Sequence, residues 1–120
     1  MKYYFDHEKL DVYQLAISFV GWCEDILLRC EGRASAKQHL DEASTSIPLN
    51  IAEGNGKWLP KDRRKYFEIA RASALESGSC LDVLVAKKRL VAEEIIPGKN
   101  MLTRIVSMLT RMVINLSQDE

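Results

Sequence analysis

Four stretches of this chain repeat their apolar residues at helical spacing, and none alternates convincingly at the spacing of a strand. The first runs from near Glu8 to Cys30, where Val12, Ala16, Phe19, Cys23, Ile26 and Cys30 fall on one face, with Tyr13, Ile17 and Val20 beside them and Asp6 placed to cap the start. Gly32 suits a left-handed stop, and Ser35-x-x-Gln38 reads as a capping box that opens a second helix over 36–53, closed by Gly54-Asn55-Gly56. Pro48 lies inside that helix, removes a backbone hydrogen bond and crowds the Ser44 carbonyl, so a bend or irregular turn is expected, with the hydroxyls of Ser44, Thr45 and Ser46 near enough to compensate. Pro60 opens the third helix, 60–89, through Tyr66, Ile69, Ala70, Ser73, Cys80, Leu84 and Val85. Gly78 weakens its middle by about 1 kcal/mol relative to alanine, which close approach of another helix would explain. The fourth helix, 92–117, is clearest where Leu102, Ile105, Leu109, Met112 and Leu116 repeat in heptads, and Pro97-Gly98 marks a break or kink. Short connections make sequential helices antiparallel. The expected fold is all-α, an up-down-up-down four-helix bundle occupying residues 1–120 as one domain.

The length agrees, since 120 residues build one core and hardly two. With 47% apolar and 28% charged residues, the chain has no apolar run that would span a bilayer and no charged-then-apolar leader, so a bacterial-like cytoplasmic protein without a membrane partner is expected. The formal net charge is zero but unevenly spread: residues 1–56 hold five Lys/Arg against nine Asp/Glu, and residues 57–120 hold twelve against eight. Any nucleic-acid contact must therefore come from a local patch. Three cysteines make no disulfide framework. Cys23 and Cys30 stand two turns apart on one helix, too far to bridge, and all three read as packed thiols.

The second helix carries an unusual polar edge. Ser46, Asn50 and Glu53 fall at i, i+4 and i+7 while Ile47 and Ile51 point to the adjacent apolar face, and Ser73 and Glu76 on an antiparallel third helix are natural partners, with Arg71 a further donor. These six form a candidate structural polar network that sets helix register. The pairing of Ser46-Ile47-Pro48-Leu49-Asn50-Ile51-Ala52-Glu53-Gly54-Asn55-Gly56 with Ile69-Ala70-Arg71-Ala72-Ser73-Ala74-Leu75-Glu76 resembles the four-helix bundle proteins related to those encoded in intervening sequences of bacterial 23S ribosomal RNA genes, from about Leu10 to Leu116. The resemblance implies a homo-oligomer, a ring-like pentamer in the sharpest form, and it makes the polar residues structural rather than catalytic. It extends to the accessory variability determinants of diversity-generating retroelements, basic oligomers that engage nucleic acid and a reverse transcriptase. Here Arg71-Ala72 stands before Ser73 where members of the four-helix bundle family often have a glycine before the serine. Apolar positions beyond one seam, on both sides of helix one and at Met101, Met108 and Ile114, fit either scattered exposure or packing between subunits.

Chemistry is marked by what is missing. His7 and His39 complete no Glu-x-x-His pair, and there is no Cys-x-x-Cys, no phosphate-cradling loop with its lysine and no Gly-x-Ser-x-Gly elbow. His39 with Glu42 reads as a solvated or hydrogen-bonded pair, and Gly54-Asn55-Gly56-Lys57 as a helix stop. Glu53 and Glu76 would suit carboxylate-dependent hydrolysis only with a cleft and substrate-orienting groups around them, so the structural use is preferred. No catalytic residue, metal ligand or cofactor is expected. The candidate for function is basic: Lys57, Lys61, Arg64 and Lys65, with Arg63, surround the start of helix three, Lys87, Lys88 and Arg89 lie near its other end, and Trp58 and Tyr66 offer stacking surfaces. Three readings follow: a homo-oligomeric scaffold binding RNA or an RNA-associated protein such as a reverse transcriptase, a purely structural or protein-interaction module, and, remotely, a hydrolase.

Overall fold

In a computed structural model describing residues 2–30, 32 and 34–118, the chain forms α1 (Asp11–Arg29), α2 (Ser35–Asn55), α3 (Pro60–Ala86) and α4 (Ile96–Gln118), with 3₁₀ turns at Asp6–Lys9 and Ala92–Ile95. There is no strand among the described residues. Helices adjacent in sequence are adjacent in space; α2–α3 is the most extensive interface, and α1 closes the bundle against α2 and α4. The molecule is an all-α, up-down four-helix bundle measuring 45 × 30 × 20 Å.

The core follows from the helical period. Phe19 and Ile26 of α1, Leu40, Ile47 and Ile51 of α2, Phe67, Leu81 and Leu84 of α3, and Ile105 and Leu109 of α4 are almost fully buried, each worth about 1.5–3 kcal/mol relative to exposure. α2 stays helical through Pro48, and Ser44 and Thr45 turn their hydroxyls back onto the Asp41 carbonyl at 3.2 and 2.8 Å.

The helix ends depart from the expected caps. Ala34, extended at φ −149°, precedes α2, so Ser35 is already helical and no capping box forms; the Gln38 amide donates to Glu42 instead. Asp6 does not cap α1 but accepts a hydrogen bond from Asn55 Nδ2 at 3.1 Å, tying the N-terminal segment to the end of α2. α3 stops at Ala86 rather than 89. Lys87 to Arg89 form a Schellman turn, with Arg89 N–H donating to the Leu84 carbonyl and Lys88 N–H to that of Val85, and Lys88 takes the left-handed conformation at φ 60°. Pro97-Gly98 does not break α4: Pro97 sits in its first turn, where no N–H is needed, and the irregular turn precedes Ile96.

Glycine marks close approach at two places. A Cβ on Gly54 would stand 2.9 Å from two ring carbons of Phe67 and 3.0 Å from the Arg63 carbonyl oxygen, and one on Gly98 would strike the Trp22 ring. Gly78 is different. Its Cβ would meet only Leu102 Cδ1, at 3.7 Å, so close helix approach does not explain it.

Candidate nucleic-acid interface and the polar seam

The turn from α2 into α3 is built by an inward-facing arginine. Arg63 Nη1 donates to the carbonyls of Asn55 (2.8 Å) and Lys57 (3.1 Å), Nη2 donates to Asn55 Oδ1 (3.3 Å), and the guanidinium lies 5.9 Å from the Phe67 ring centroid. It satisfies carbonyls at the C-terminal end of α2, where the helix dipole favours a cation. Arg63 is thus a pin for the turn, a role that charge counting along the sequence cannot distinguish from membership of a surface patch.

With Arg63 drawn in, Lys57, Lys61, Arg64 and Lys65 remain as the cations within seven residues of Trp58 along the chain, and Trp58 is 95% exposed. Lys57 Nζ and Lys65 Nζ lie 5.2 and 5.6 Å from the Tyr66 ring centroid. Lys57 also approaches Glu53 at 3.4 Å. Arg64 lies 3.9 Å from Glu68 and donates to Ser117 Oγ of α4 at 3.2 Å. Lys61 is exposed, without an ion pair among the described residues. Lys87, Lys88 and Arg89 are at the opposite end of α3, about 39 Å from Lys61 at 1.5 Å per residue, so the two basic groups do not form one surface.

The six residues of the expected polar network separate into three places. Ser46, Asn50 and Ser73 meet across α2 and α3: the Ser46 and Ser73 hydroxyls are 2.8 Å apart, and Asn50 Nδ2 donates to the Ser46 carbonyl and hydroxyl at 2.8 and 2.9 Å. Arg71, two residues before Ser73, turns away and donates from Nε to Thr110 Oγ1 of α4 at 2.7 Å. Glu53 and Glu76 are both exposed. With Ser46 opposite Ser73 and Gly54 against Phe67, Glu53 lies level with about residue 66 of α3, roughly 15 Å along the axis from Glu76. They do not form a carboxylate pair.

Glu76 instead borders a groove of about 400 Å³ between α2 and α3, together with His39, Ser79 and Cys80. Burial raises the Cys80 thiol pKa, and the Glu76 carboxylate adds to the shift, so this thiol is not activated. The Cys23 thiol is pushed up to about 12, chiefly by burial, against a lowering hydrogen bond from Ser44 and with further raising by Asp41 and Cys80. Among the described residues, no group of three His, Cys, Asp or Glu side chains is arranged to hold a metal ion, and no helix is long and apolar enough to cross a membrane.

A small helical bundle with a serine–asparagine seam between its two central helices is thus the class of protein in hand. The chain belongs to the 23S rRNA-intervening sequence protein family, whose model matches residues 8–111. Its fold is similar to the crystal structure of a protein of unknown function from the S23 ribosomal protein family of Bacteroides thetaiotaomicron, with a TM-score of 0.79 and 20% sequence identity, over 85% of this chain and 97% of that one. No curated protein matches the chain.

Proposed function

We propose that the chain is a non-enzymatic, homo-oligomeric scaffold of the bacterial cytoplasm that binds RNA through the end of the bundle where α2 turns into α3. The observation that carries this reading is Trp58, 95% exposed and adjacent in the chain to Lys57, whose ammonium together with that of Lys65 flanks the Tyr66 ring. An unstacked base finds an aromatic face there and its phosphates find cations, without a particular base sequence being required. One such site is weak, and repetition around an oligomer adds affinity through avidity. Resemblance to the ring-forming relatives makes a pentamer the sharpest form of the assembly, and resemblance to the accessory variability determinants makes a reverse transcriptase the RNA-associated partner to test first.

Titration with single-stranded RNA, read by tryptophan fluorescence, tests the site. Quenching should be salt-sensitive and vanish in Trp58→Ala, which retains the half-buried Trp22. The triple change Lys61→Gln, Arg64→Gln, Lys65→Gln should weaken binding for every RNA sequence and flatten its salt dependence, with helical content and assembly mass intact. No binding by the intact protein at low salt overturns the RNA reading in favour of a protein-interaction module, and a stable mass other than a pentamer overturns the stoichiometry.

A further inference from the structure

We propose that the groove between α3 and α4 at Gly78 binds the guanidinium of an arginine side chain presented by a partner protein.

Arginine–hydroxyl pairs join α3 to α4 as a ladder with one rung missing. Arg64 Nη1 donates to Ser117 Oγ at 3.2 Å; seven residues on along α3 and seven back along α4, Arg71 Nε donates to Thr110 Oγ1 at 2.7 Å. The same step leads to Gly78 opposite Thr103. The register holds beyond that point, because Asp82, four residues further on, meets Lys99, four residues further back, at 2.9 Å. Between these observed contacts α3 offers only a glycine, and a groove of about 340 Å³ lies there, with Leu75, Gly78, Asp82, Leu102, Thr103 and Val106 in its lining. Helix approach does not require the glycine, since a Cβ on Gly78 would meet only Leu102 Cδ1, at 3.7 Å.

The vacant rung has the chemistry of the filled ones. Thr103, Thr110 and Ser117 donate their hydroxyl protons to the carbonyls of Lys99, Val106 and Val113 at 2.9, 2.7 and 2.9 Å, so each hydroxyl has only lone pairs left for a second partner. At Thr110 and Ser117 an arginine takes a lone pair; at Thr103 no donor does among the described residues. Asp82 stands about 6 Å along the axis from Gly78. Lys99 engages its Oδ1 in a pair whose side chains are 62% and 40% exposed, a weak bond, and Oδ2 has no partner among the described residues. A hydroxyl acceptor and a carboxylate at that separation suit a planar fork of several donors better than one ammonium. Leu75, Leu102 and Val106 offer apolar surface to the methylene stem. The adjoining depression of about 310 Å³, with Ile114 half exposed on its edge, offers more to the residues beside the arginine, which favours an arginine carried on a protein over a free cation.

The test is a titration of the full chain, read by the methyl NMR signals of Leu75, Leu102, Thr103 and Val106. The probe is a capped peptide with leucine at each end, alanine within and one central arginine. It should move these signals saturably, and the same peptide with citrulline, which keeps the shape without the charge, should bind at least tenfold more weakly. Lysine in that place, free arginine as the probe, and Thr103→Val in the chain should each weaken binding at least threefold. Gly78→Arg supplies the missing rung from within: it should abolish peptide binding and shift the Leu102 and Thr103 signals in the direction the peptide does, with helical content and assembly mass unchanged. No saturable shift, or equal binding of the citrulline peptide, overturns the guanidinium site. Retained binding by a folded Gly78→Arg chain places the peptide elsewhere and overturns it too, and full affinity in Thr103→Val does the same without relying on that variant. Free arginine binding as tightly as the peptide overturns the protein partner in favour of a small molecule, and a changed assembly mass in Gly78→Arg overturns it in favour of a second copy.

Discussion

Two glycine-to-alanine substitutions in one chain should act in opposite directions. At Gly54 the added Cβ would lie 2.9 Å from two carbons of the Phe67 ring and 3.0 Å from the Arg63 carbonyl oxygen, well inside ordinary contact. The ring has nowhere easy to go, because Phe67 is 1% exposed, and the carbonyl moves only if α3 moves. Overpacking of this kind costs about 1–3 kcal/mol. Alanine recovers part of the roughly 1 kcal/mol that glycine forfeits in a helix interior, and less than that in the last turn of α2. Displacing Phe67 or Arg63 also disturbs the guanidinium that pins the Asn55 and Lys57 carbonyls. The net expectation for Gly54→Ala is a loss of about 2 kcal/mol. At Gly78 the new Cβ meets only Leu102 Cδ1 at 3.7 Å, an ordinary contact, so Gly78→Ala should gain about 1 kcal/mol. The gap of about 3 kcal/mol corresponds to roughly 9–15 °C in melting temperature for a domain this size. Urea titration followed by far-UV circular dichroism, at one fixed protein concentration, measures both. A Gly54→Ala chain as stable as the unaltered protein, or a destabilised Gly78→Ala chain, would refute the close-approach argument.

Three further outcomes follow from the geometry. Lys88→Gly should raise stability by about 1 kcal/mol, because Lys88 holds a left-handed φ of 60° that glycine adopts without cost; an unchanged denaturation midpoint would count against it. The Cys23 thiol, raised from 9.0 to about 12 in the folded chain, keeps its proton after the unfolded chain has lost its own, so its contribution is complete below about pH 9 and is lost as pH rises toward about 12. Cys23→Ala should make that alkaline decline shallower in denaturation midpoints measured across the window. Asn50→Ala should cost about 1 kcal/mol, since it strips two hydrogen bonds from the α2–α3 seam, whereas Glu53→Ala, an exposed partner of Lys57, should change stability by less than about 0.5 kcal/mol. Equal losses in the two denaturant titrations would place Glu53 inside the seam.

The helices were legible because their apolar residues recur at helical spacing, and burial of that face decides the structure. Their ends were less so. Ser35-x-x-Gln38 has the residue types of a capping box, yet chain entry one residue earlier, through extended Ala34, puts Ser35 inside the helix and leaves Gln38 to bond Glu42. Lys87 to Arg89 fit the helical run by composition, but the chain reverses there with a lysine in a conformation glycine usually takes. No local pattern announces either outcome, because each is set by where the neighbouring helix must begin.

The same distinction runs through the candidate site. Spacing along one helix specifies a face, so Ser46 and Asn50 are readable as neighbours, and Ser73 is readable as a residue on the facing side of α3. Height along the partner helix is a different quantity, fixed by the α2–α3 turn and the close fit of Gly54 on Phe67. That register brings Ser73 to Ser46 but leaves Glu53 and Glu76 roughly ten residues apart along α3, and helical rotation over two residues carries Arg71 from the seam to Thr110. Cation counts have a similar blind spot. Arg63 and Lys61 look equivalent in sequence, yet one is consumed by the carbonyls that end α2 and the other faces solvent, and only a residue left over from building the turn is free to bind anything else.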